Sequence, residues 1–122
     1  MSRKVLIVDE SELVREELCA TLIDAGYDVE AADDSEAALQ VISSDHYDML
    51  MAEQNMPHMS CAEFITAVRN IPGRRYVPIV ILSQGGDEVK FSECAKAGAS
   101  GFINKPFEKD QVLDVVKMIL PY

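Results

Sequence analysis

Four short apolar runs, separated by stretches of helical periodicity, constrain the fold of this chain more than any other feature. The runs are VLIV at 5–8, MLMA at 49–52, PIVIL at 78–82 and GFI at 101–103. Each is too short for a buried helix, and runs of this length rich in β-branched residues are typical of buried strands. A weaker alternating stretch, DVEAAD at 28–33, predicts an edge strand with one solvated face.

Residues with helical spacing lie between these predicted strands. Val14, Leu18 and Leu22 repeat along one face, with Ser11 as a candidate N-cap before them and Gly26 just after. Further apolar residues at helical spacing predict three more helices. Their apolar sets are Leu39 and Ile42, then Phe64, Ile65 and Val68, then Val112, Val115, Val116 and Ile119.

A fifth helix is expected near residues 87–97, capped by Asp87 and ended by Gly98. Its apolar stripe is the weakest of the five, which indicates a lightly buried element. Strand and helix thus alternate five times, and the rules for crossover connections turn this (βα)5 pattern into one doubly wound parallel sheet covered on both faces. We therefore expect residues 1–122 to form a single α/β domain.

Size and hydropathy agree with one soluble domain. The chain has 122 residues, of which 48% are apolar, enough for one core of ordinary size. No apolar stretch approaches the roughly 18 residues of a membrane span, and the start MSRKVLIVDE lacks the apolar region of a signal peptide. We expect a cytoplasmic protein that does not interact with membranes.

Charge and cysteine usage argue against a nucleic-acid-binding protein and against a disulfide-rich or zinc-binding protein. With 11 basic and 21 acidic residues the net charge is −10, and no basic patch suited to phosphates is present, so direct nucleic-acid binding is not expected. Cys19, Cys61 and Cys94 are odd in number, widely spaced and without a CxxC pair, so neither a disulfide framework nor a zinc site is predicted. Free thiols that serve as small core residues are the main expectation, and a redox role is the alternative.

Polar residues follow four of the predicted strands at the point where each strand ends. They are, in chain order, Asp9, Glu10, Glu53, Ser83, Asn104 and Lys105. Because the functional crevice of an open parallel sheet lies beyond the carboxyl ends of its strands, we expect these side chains to meet. Carboxylates about 4 Å apart repel by roughly 4 kcal/mol at an effective dielectric near 20, which predicts a positive group among them. Oxygen ligands without His or Cys favour Mg²⁺ over Zn²⁺.

Four segments in this order and spacing resemble the receiver domain of bacterial two-component response regulators: VLIVDE, MLMAEQNMP, PIVILS and GFINKPF. The resemblance implies a flavodoxin-like, five-stranded parallel sheet in the order 2-1-3-4-5 with five helices. It also implies a signalling role in a phosphorelay rather than an enzyme. In that family a histidine kinase phosphorylates an aspartate at the end of the third strand.

The resemblance also implies a metal site. Asp9 and Glu10 match the acidic pair that binds Mg²⁺, and Glu53, at the acceptor position, is a further ligand. Asn55 matches the position whose backbone carbonyl completes the site.

A second set of residues matches the parts of the family that respond to phosphorylation. Ser83 matches the switch hydroxyl, Phe102 the aromatic residue that swings inward on activation, and Lys105 the lysine that pairs with the phosphoryl group. The resemblance implies a cis peptide between Lys105 and Pro106, and proline is the residue for which that geometry costs little.

Glu53 departs from the family pattern, which has aspartate at the acceptor position. Its carboxylate projects about 1.5 Å further, whereas Mg²⁺ requires near-octahedral oxygens at roughly 2.0–2.1 Å. In-line phosphoryl transfer loses about 100-fold for a shift near 1 Å. We therefore expect phosphorylation to be weak or absent and Mg²⁺ binding to be weakened. His58 is a second departure, since glycine is common at this turn position in the family.

Two outcomes of the Glu53 substitution remain open. In the first, the carboxylate reaches Lys105 or Ser83 and stands in for an acyl phosphate; the presence of Ser83 and Phe102 favours it. In the second, Glu53 pairs with Lys105 and fills the pocket, which leaves a static binding module. In either case we expect contact with a histidine kinase or a downstream effector through the fourth helix, fifth strand and fifth helix, in a monomer or weak dimer.

Two alternatives are weighed against this interpretation. The first is an ordinary Mg²⁺-dependent phosphoaccepting receiver that tolerates Glu53. The second is a small flavin-binding protein or phosphohydrolase. A flavin site needs a Ser/Thr/Gly-rich phosphate loop after the first strand, where this chain has the acidic DESELV. A phosphohydrolase of the aspartate type needs a second Asp two residues after the first, and Asp9 is followed by Glu10 and Ser11.

Overall fold

A computed structural model describes residues 3–86 and 88–120. Five strands form one parallel sheet in the order β2-β1-β3-β4-β5. The strands are β1 (Lys4–Val8), β2 (Asp28–Ala32), β3 (Met49–Glu53), β4 (Ile79–Ser83) and β5 (Gly101–Asn104). The helices are α1 (Glu12–Asp24), α2 (Ser35–Ser44), α3 (Cys61–Arg69), α4 (Glu88–Ala97) and α5 (Lys109–Ile119). The predicted doubly wound fold is confirmed.

The helices form two layers because successive strand residues point to opposite faces of the sheet. Leu6 and Val8 of β1 belong to a core with α2, α3 and α4, whereas Val5 and Ile7 belong to a second core with α1 and α5. All five residues of β3 are buried, as expected for a central strand covered on both sides. β2 lies at the edge and is partly exposed, as its alternating pattern predicts.

Local signals set most helix starts. The Ser11 side chain accepts a hydrogen bond from Val14 N–H, which confirms the predicted cap of α1, and Asp34 caps α2 in the same way. Ser60 and Glu63 form a capping box at the start of α3. α4 ends before Gly98, whose φ of 115° lies in the left-handed region. The predicted cap Asp87 lies outside the described residues.

Arg69, at the end of α3, holds three elements together. Its guanidinium donates to the carbonyl of Gly98 at 2.7 Å, after α4, and to the carbonyl of Val77, before β4. Burial lowers the pKa of Arg69. The arginine therefore fixes the end of α4 against the start of β4 at the edge of the sheet opposite the crevice.

The cysteines correct one expectation. Cys61, the first residue of α3, forms a disulfide with Cys94 of α4, and their Cα atoms are 6.0 Å apart. The expectation of three free thiols is therefore wrong for two of them, while Cys19 is free. Sequence spacing could not indicate this pair because 33 residues separate its members and only the contact between α3 and α4 joins them. Within residues 3–86 and 88–120, no helix is long and apolar enough to cross a membrane.

Candidate functional site

The carboxyl edge of the sheet brings together the polar residues predicted from the strand ends. Asp9 directly follows β1, Glu53 ends β3, Ser83 ends β4, and Lys105 follows β5. The peptide between Lys105 and Pro106 is cis, as predicted. Because the strands are parallel, residues as far apart in the chain as Asp9 and Lys105 reach one crevice.

Lys105 is the cation among these carboxylates. Its Nζ lies 2.8 Å from Asp9 Oδ2 and 3.6 Å from Glu53 Oε2. Asp9 is fully buried, and its other oxygen, Oδ1, accepts the N–H of Ser11 at 2.9 Å. The predicted need for a positive group is thus met by the chain itself.

Glu53 is nine-tenths buried and only partly neutralised. Its Oε1 accepts the N–H of Glu10 at 3.2 Å, while the Glu10 side chain is exposed. Burial, together with a hydrogen bond and the charge of the Asp9 carboxyl, raises the pKa of Glu53 to about 7, against the opposing effects of Glu10 N–H and Lys105. Near neutral pH the Glu53 carboxyl, which lies beside Asp9, therefore holds a proton part of the time.

Gln54 is a residue of the site that the sequence reasoning missed. Ser83 Oγ donates to Gln54 Oε1 at 2.8 Å and accepts the N–H of Gly85 at 3.0 Å. Gln54 is buried, with an exposed fraction of 5%, and its Nε2 has no hydrogen-bond partner within the described ranges. The available signal was a long polar side chain at the end of a fully buried strand.

Asn55 and Phe102 face α4 rather than the carboxylates. The Oδ1 of Asn55, an exposed residue, accepts a hydrogen bond from Lys90 Nζ at 2.9 Å. The ring of half-buried Phe102 packs on Phe91, with ring centroids 4.1 Å apart. Lys90 and Phe91 lie on an exposed helix face, where nothing in the sequence distinguishes them.

The loop after β3 contains a left-handed residue. His58 has φ 68°, a conformation that glycine adopts without steric cost and that histidine adopts less readily. The family resemblance implies glycine at position 58, and the backbone conformation observed there is one that favours glycine.

The donor set at this edge has the right chemistry for a hard cation but not the arrangement. The oxygens of Asp9 and Glu53 are engaged by Lys105 and by backbone N–H groups, and the Glu10 carboxylate is exposed. Among the residues that the structure describes, no group of three or more His, Cys, Asp or Glu side chains is placed to hold a metal ion. As arranged here, these side chains do not form a Mg²⁺ site, and Lys105 would first have to release Asp9.

A cavity of about 270 Å³ lies beside the crevice, between the loop after β3 and helices α3 and α4. Its lining includes Gln54, Asn55, Lys90 and both bridged cysteines. Glu10, one of the acidic residues of the crevice, also lines it, beside the Gln54 side chain that contacts Ser83.

The fold and this crevice define a class of protein. The family described as the response regulator receiver domain matches residues 5–117, and the chain belongs to that family. Receiver domains are signalling domains of two-component systems, and they interact with histidine kinases and effectors.

Particular relatives agree with this assignment. The chain is 30% identical over 117 residues to the chemotaxis protein CheY of Pseudomonas aeruginosa, covering 95% of this chain and 94% of that protein. The structure of chemotaxis response regulator CheY4 of Vibrio cholerae superposes with a TM-score of 0.92 at 34% identity, covering 98% of this chain and 99% of that chain.

Other relatives are longer or more distant. The chain is 31% identical over 118 residues to the response regulator protein FleR of Pseudomonas aeruginosa, covering 95% of this chain but 24% of FleR. It spans 52% of the phosphate regulon regulator PhoB of Klebsiella pneumoniae. The receiver domain of a Pseudomonas aeruginosa sensor histidine kinase, described with a magnesium ion coordinated in its active-site cleft, shares the fold at 20% identity and a TM-score of 0.90.

Proposed function

We propose that residues 1–122 form one atypical receiver domain that acts through protein–protein contact, with phosphorylation weak or absent. The observation that carries this proposal is that the groups expected to bind or accept a phosphoryl group are already paired or buried within the chain. Lys105 is bonded to Asp9, Ser83 donates to Gln54, and the Glu53 carboxyl is buried. No enzymatic turnover is expected.

Of the two outcomes open from the sequence, the geometry supports the filled pocket. A phosphoryl mimic has to engage both Lys105 and the switch hydroxyl. Glu53 reaches Lys105 at 3.6 Å, but the hydroxyl of Ser83 donates to Gln54 instead. Phe102 is half-buried on Phe91 of α4, which also favours the unswitched arrangement.

We further propose that Mg²⁺ binds weakly, through Asp9, Glu10, Glu53 and the backbone carbonyl of Asn55. Binding requires Lys105 to release Asp9 and requires the Glu53 carboxyl to lose its proton, since a metal ligand must be deprotonated. Both steps cost free energy and therefore weaken Mg²⁺ binding.

The proposed contact surface is the face formed by α4, β5 and α5. It carries large exposed apolar side chains: Val89 and Phe91 on α4 are 68% and 46% exposed, and Met118 on α5 is 80% exposed. Exposed apolar groups of this size are typical of protein contact sites. The proposed partner is a histidine kinase or a downstream effector, and the net charge of −10 supports a protein partner over nucleic acid.

A comparison of the wild type with Glu53→Asp tests the proposal. Beryllofluoride mimics the phosphoryl group, and its Mg²⁺-dependent binding is measured by titration calorimetry. We expect the aspartate variant to gain this binding, because the shortened side chain restores the acceptor geometry. Glu53→Gln, which keeps the length but cannot act as a carboxylate, is the matched control and should not bind.

Two results contradict the proposal. Tight Mg²⁺-dependent beryllofluoride binding by the wild type supports the alternative of an ordinary phosphoaccepting receiver that tolerates Glu53. A mass increase of one phosphoryl group on Glu53 after incubation with acetyl phosphate leads to the same conclusion.

A further inference from the structure

The disulfide between Cys61 and Cys94 joins α3 to α4 beside the loop after β3. Both residues are almost fully buried, with exposed fractions of 3% and 1%. Their Cα separation of 6.0 Å lies within the usual range for bridged cysteines. Cys19, the free cysteine, belongs to the opposite layer of helices and contacts the other core.

Among the five helices, as far as the structure describes them, α4 has the fewest buried residues. Among the described residues of α4, Cys94 is the one buried side chain, whereas α3 has four buried residues. A helix with so little buried apolar surface gains little from the hydrophobic effect and opens readily. The covalent link to α3 therefore adds to the other attachments of α4, which are the Arg69 hydrogen bond at its end and the contacts of Lys90 and Phe91.

The residues carried by α4 connect the bridge to the site. Lys90 bonds to Asn55 in the loop after β3, and Phe91 packs on Phe102 of β5. Cys94 lies about one turn further along the same helix. A change at the bridge that loosens α4 thus alters the surroundings of Asn55, which the family resemblance places in the metal site, and of Phe102, which it places in the switch.

The bridge is reachable by small molecules although both cysteines are buried. The cavity of about 270 Å³ is lined by Cys61 and Cys94 themselves and also by the exposed residues Asn55, Pro57 and Glu93. A reagent with a few heavy atoms can therefore enter the cavity next to the bridged residues, whereas a folded protein cannot.

We propose that Cys61 and Cys94 form a redox-sensitive tether that exchanges with low-molecular-weight thiols and disulfides and thereby sets the mobility of α4. In the reducing direction a small thiolate attacks one bridge sulfur, the Cys61–Cys94 bond breaks, and the other cysteine leaves as a thiolate that takes up a proton. A second small thiolate then attacks the mixed disulfide, releasing the remaining cysteine thiol and a small disulfide. Two electrons pass from the small thiols to the bridge, and the oxidising direction is the reverse.

This tether goes beyond the proposed function and is independent of whether Glu53 accepts a phosphoryl group. It makes the α4 part of the contact surface responsive to a chemical signal other than phosphorylation. In the oxidised form Phe91 stays on Phe102, and in the reduced form the pair separates more often.

The test uses the full chain in two buffers, one with bis(2-hydroxyethyl) disulfide and one with 2-mercaptoethanol. After removal of the reagent, unfolding and alkylation, mass spectrometry should find Cys61 and Cys94 bridged and unlabelled in the first buffer, with Cys19 alkylated or in a mixed disulfide with the reagent, and label on all three cysteines in the second. Hydrogen exchange is measured in both buffers. We expect amides of Glu88–Ala97 to exchange about tenfold faster or more in the reduced form, and those of Lys109–Ile119 to change by less than about twofold.

Two variants complete the design. Cys94→Ala should show the fast exchange of α4 in both buffers, and Cys19→Ala, the matched control, should respond as the wild type does. Label on Cys61 and Cys94 in the disulfide buffer overturns the proposal, and so does equal exchange of α4 in the two buffers. Neither readout involves phosphorylation or a partner, so failure of the proposed function leaves both unchanged.

Discussion

At the scale of single residues, the crevice is defined by groups that neutralise one another. Lys105 bonds to Asp9, and Glu53, one methylene longer than aspartate, lies buried beside both. Two buried carboxylates beside one ammonium group cannot both be neutralised, so the Glu53 carboxyl tends to hold its proton. The raised pKa of Glu53 is therefore a result of the burial of its carboxyl and of the Asp9 carboxyl beside it.

The pKa of Glu53 predicts how stability depends on pH. Folding raises this pKa from 4.5 to about 7. Below the unfolded value Glu53 is protonated in both states, and above it the unfolded chain loses the proton first, so the contribution to stability falls as the pH rises towards 7. Glu53→Gln stays neutral at every pH. We expect its advantage in free energy of unfolding over the wild type to grow by roughly 2 kcal/mol between about pH 5 and about pH 8.

Urea unfolding at the two pH values measures this difference. The control is Glu16→Gln, which changes an exposed carboxylate on α1 and should shift stability by less than about 0.5 kcal/mol at both pH values. An advantage of Glu53→Gln that is the same at both pH values would show that the Glu53 carboxyl does not titrate as described.

At the scale of elements, strand positions were predictable and strand ends less so. The four apolar runs and the alternating stretch at 28–33 located the five strands, but β3 extends to Glu53 and β4 to Ser83, one residue beyond each run. The reason is that backbone pairing continues regardless of side-chain polarity, since Glu53 aligns with Leu82 and Ser83 with Asn104. The weak apolar stripe of the fourth helix correctly indicated light burial, because burial of a surface helix follows its apolar face.

Contacts between elements were the part that the sequence did not reveal. The bridge between Cys61 and Cys94 and the hydrogen bond from Ser83 to Gln54 both depend on how neighbouring elements are placed, and neither leaves a periodic signal. The convergence of Asp9 and Lys105, which are 96 positions apart, was predictable because parallel topology alone brings strand ends together.

Arg69 supplies a prediction about how elements are joined. Arg69→Ala removes the donor to the carbonyls of Val77 and Gly98 and should lower the free energy of unfolding by about 2–3 kcal/mol, because hydrogen bonds from a charged group are lost at a half-buried position. The matched control is Arg75→Ala, an exposed arginine six positions further along, which should cost less than about 0.5 kcal/mol. Urea unfolding of both variants provides the measurement, and equal losses contradict the role given to Arg69.

At the scale of the whole molecule, the dominant feature is an excess of negative charge. A net charge of −10 on 122 residues makes the compact state repel itself, and added salt screens this repulsion. Raising KCl from about 0.05 M to about 0.5 M near pH 7 should therefore increase the melting temperature by roughly 2–5 °C.

The control for this prediction is the same comparison at the isoelectric point. Near pH 4.5 the net charge vanishes, and the salt-dependent gain should largely disappear. A melting temperature that falls with KCl near pH 7 would mean that specific ion pairs, such as the one between Lys105 and Asp9, outweigh the general repulsion.

The hydrogen bond between Ser83 and Gln54 has a consequence for any oxyanion that enters the crevice. Because the Ser83 hydroxyl already bonds to Gln54, an entering oxyanion must displace the Gln54 amide, which then needs another hydrogen-bond partner in a buried site. The oxyanion therefore competes with Gln54 for the Ser83 hydroxyl, and its apparent affinity is reduced by the free energy of the displaced hydrogen bond. Such a domain needs a proportionally higher ligand concentration to reach the same occupancy.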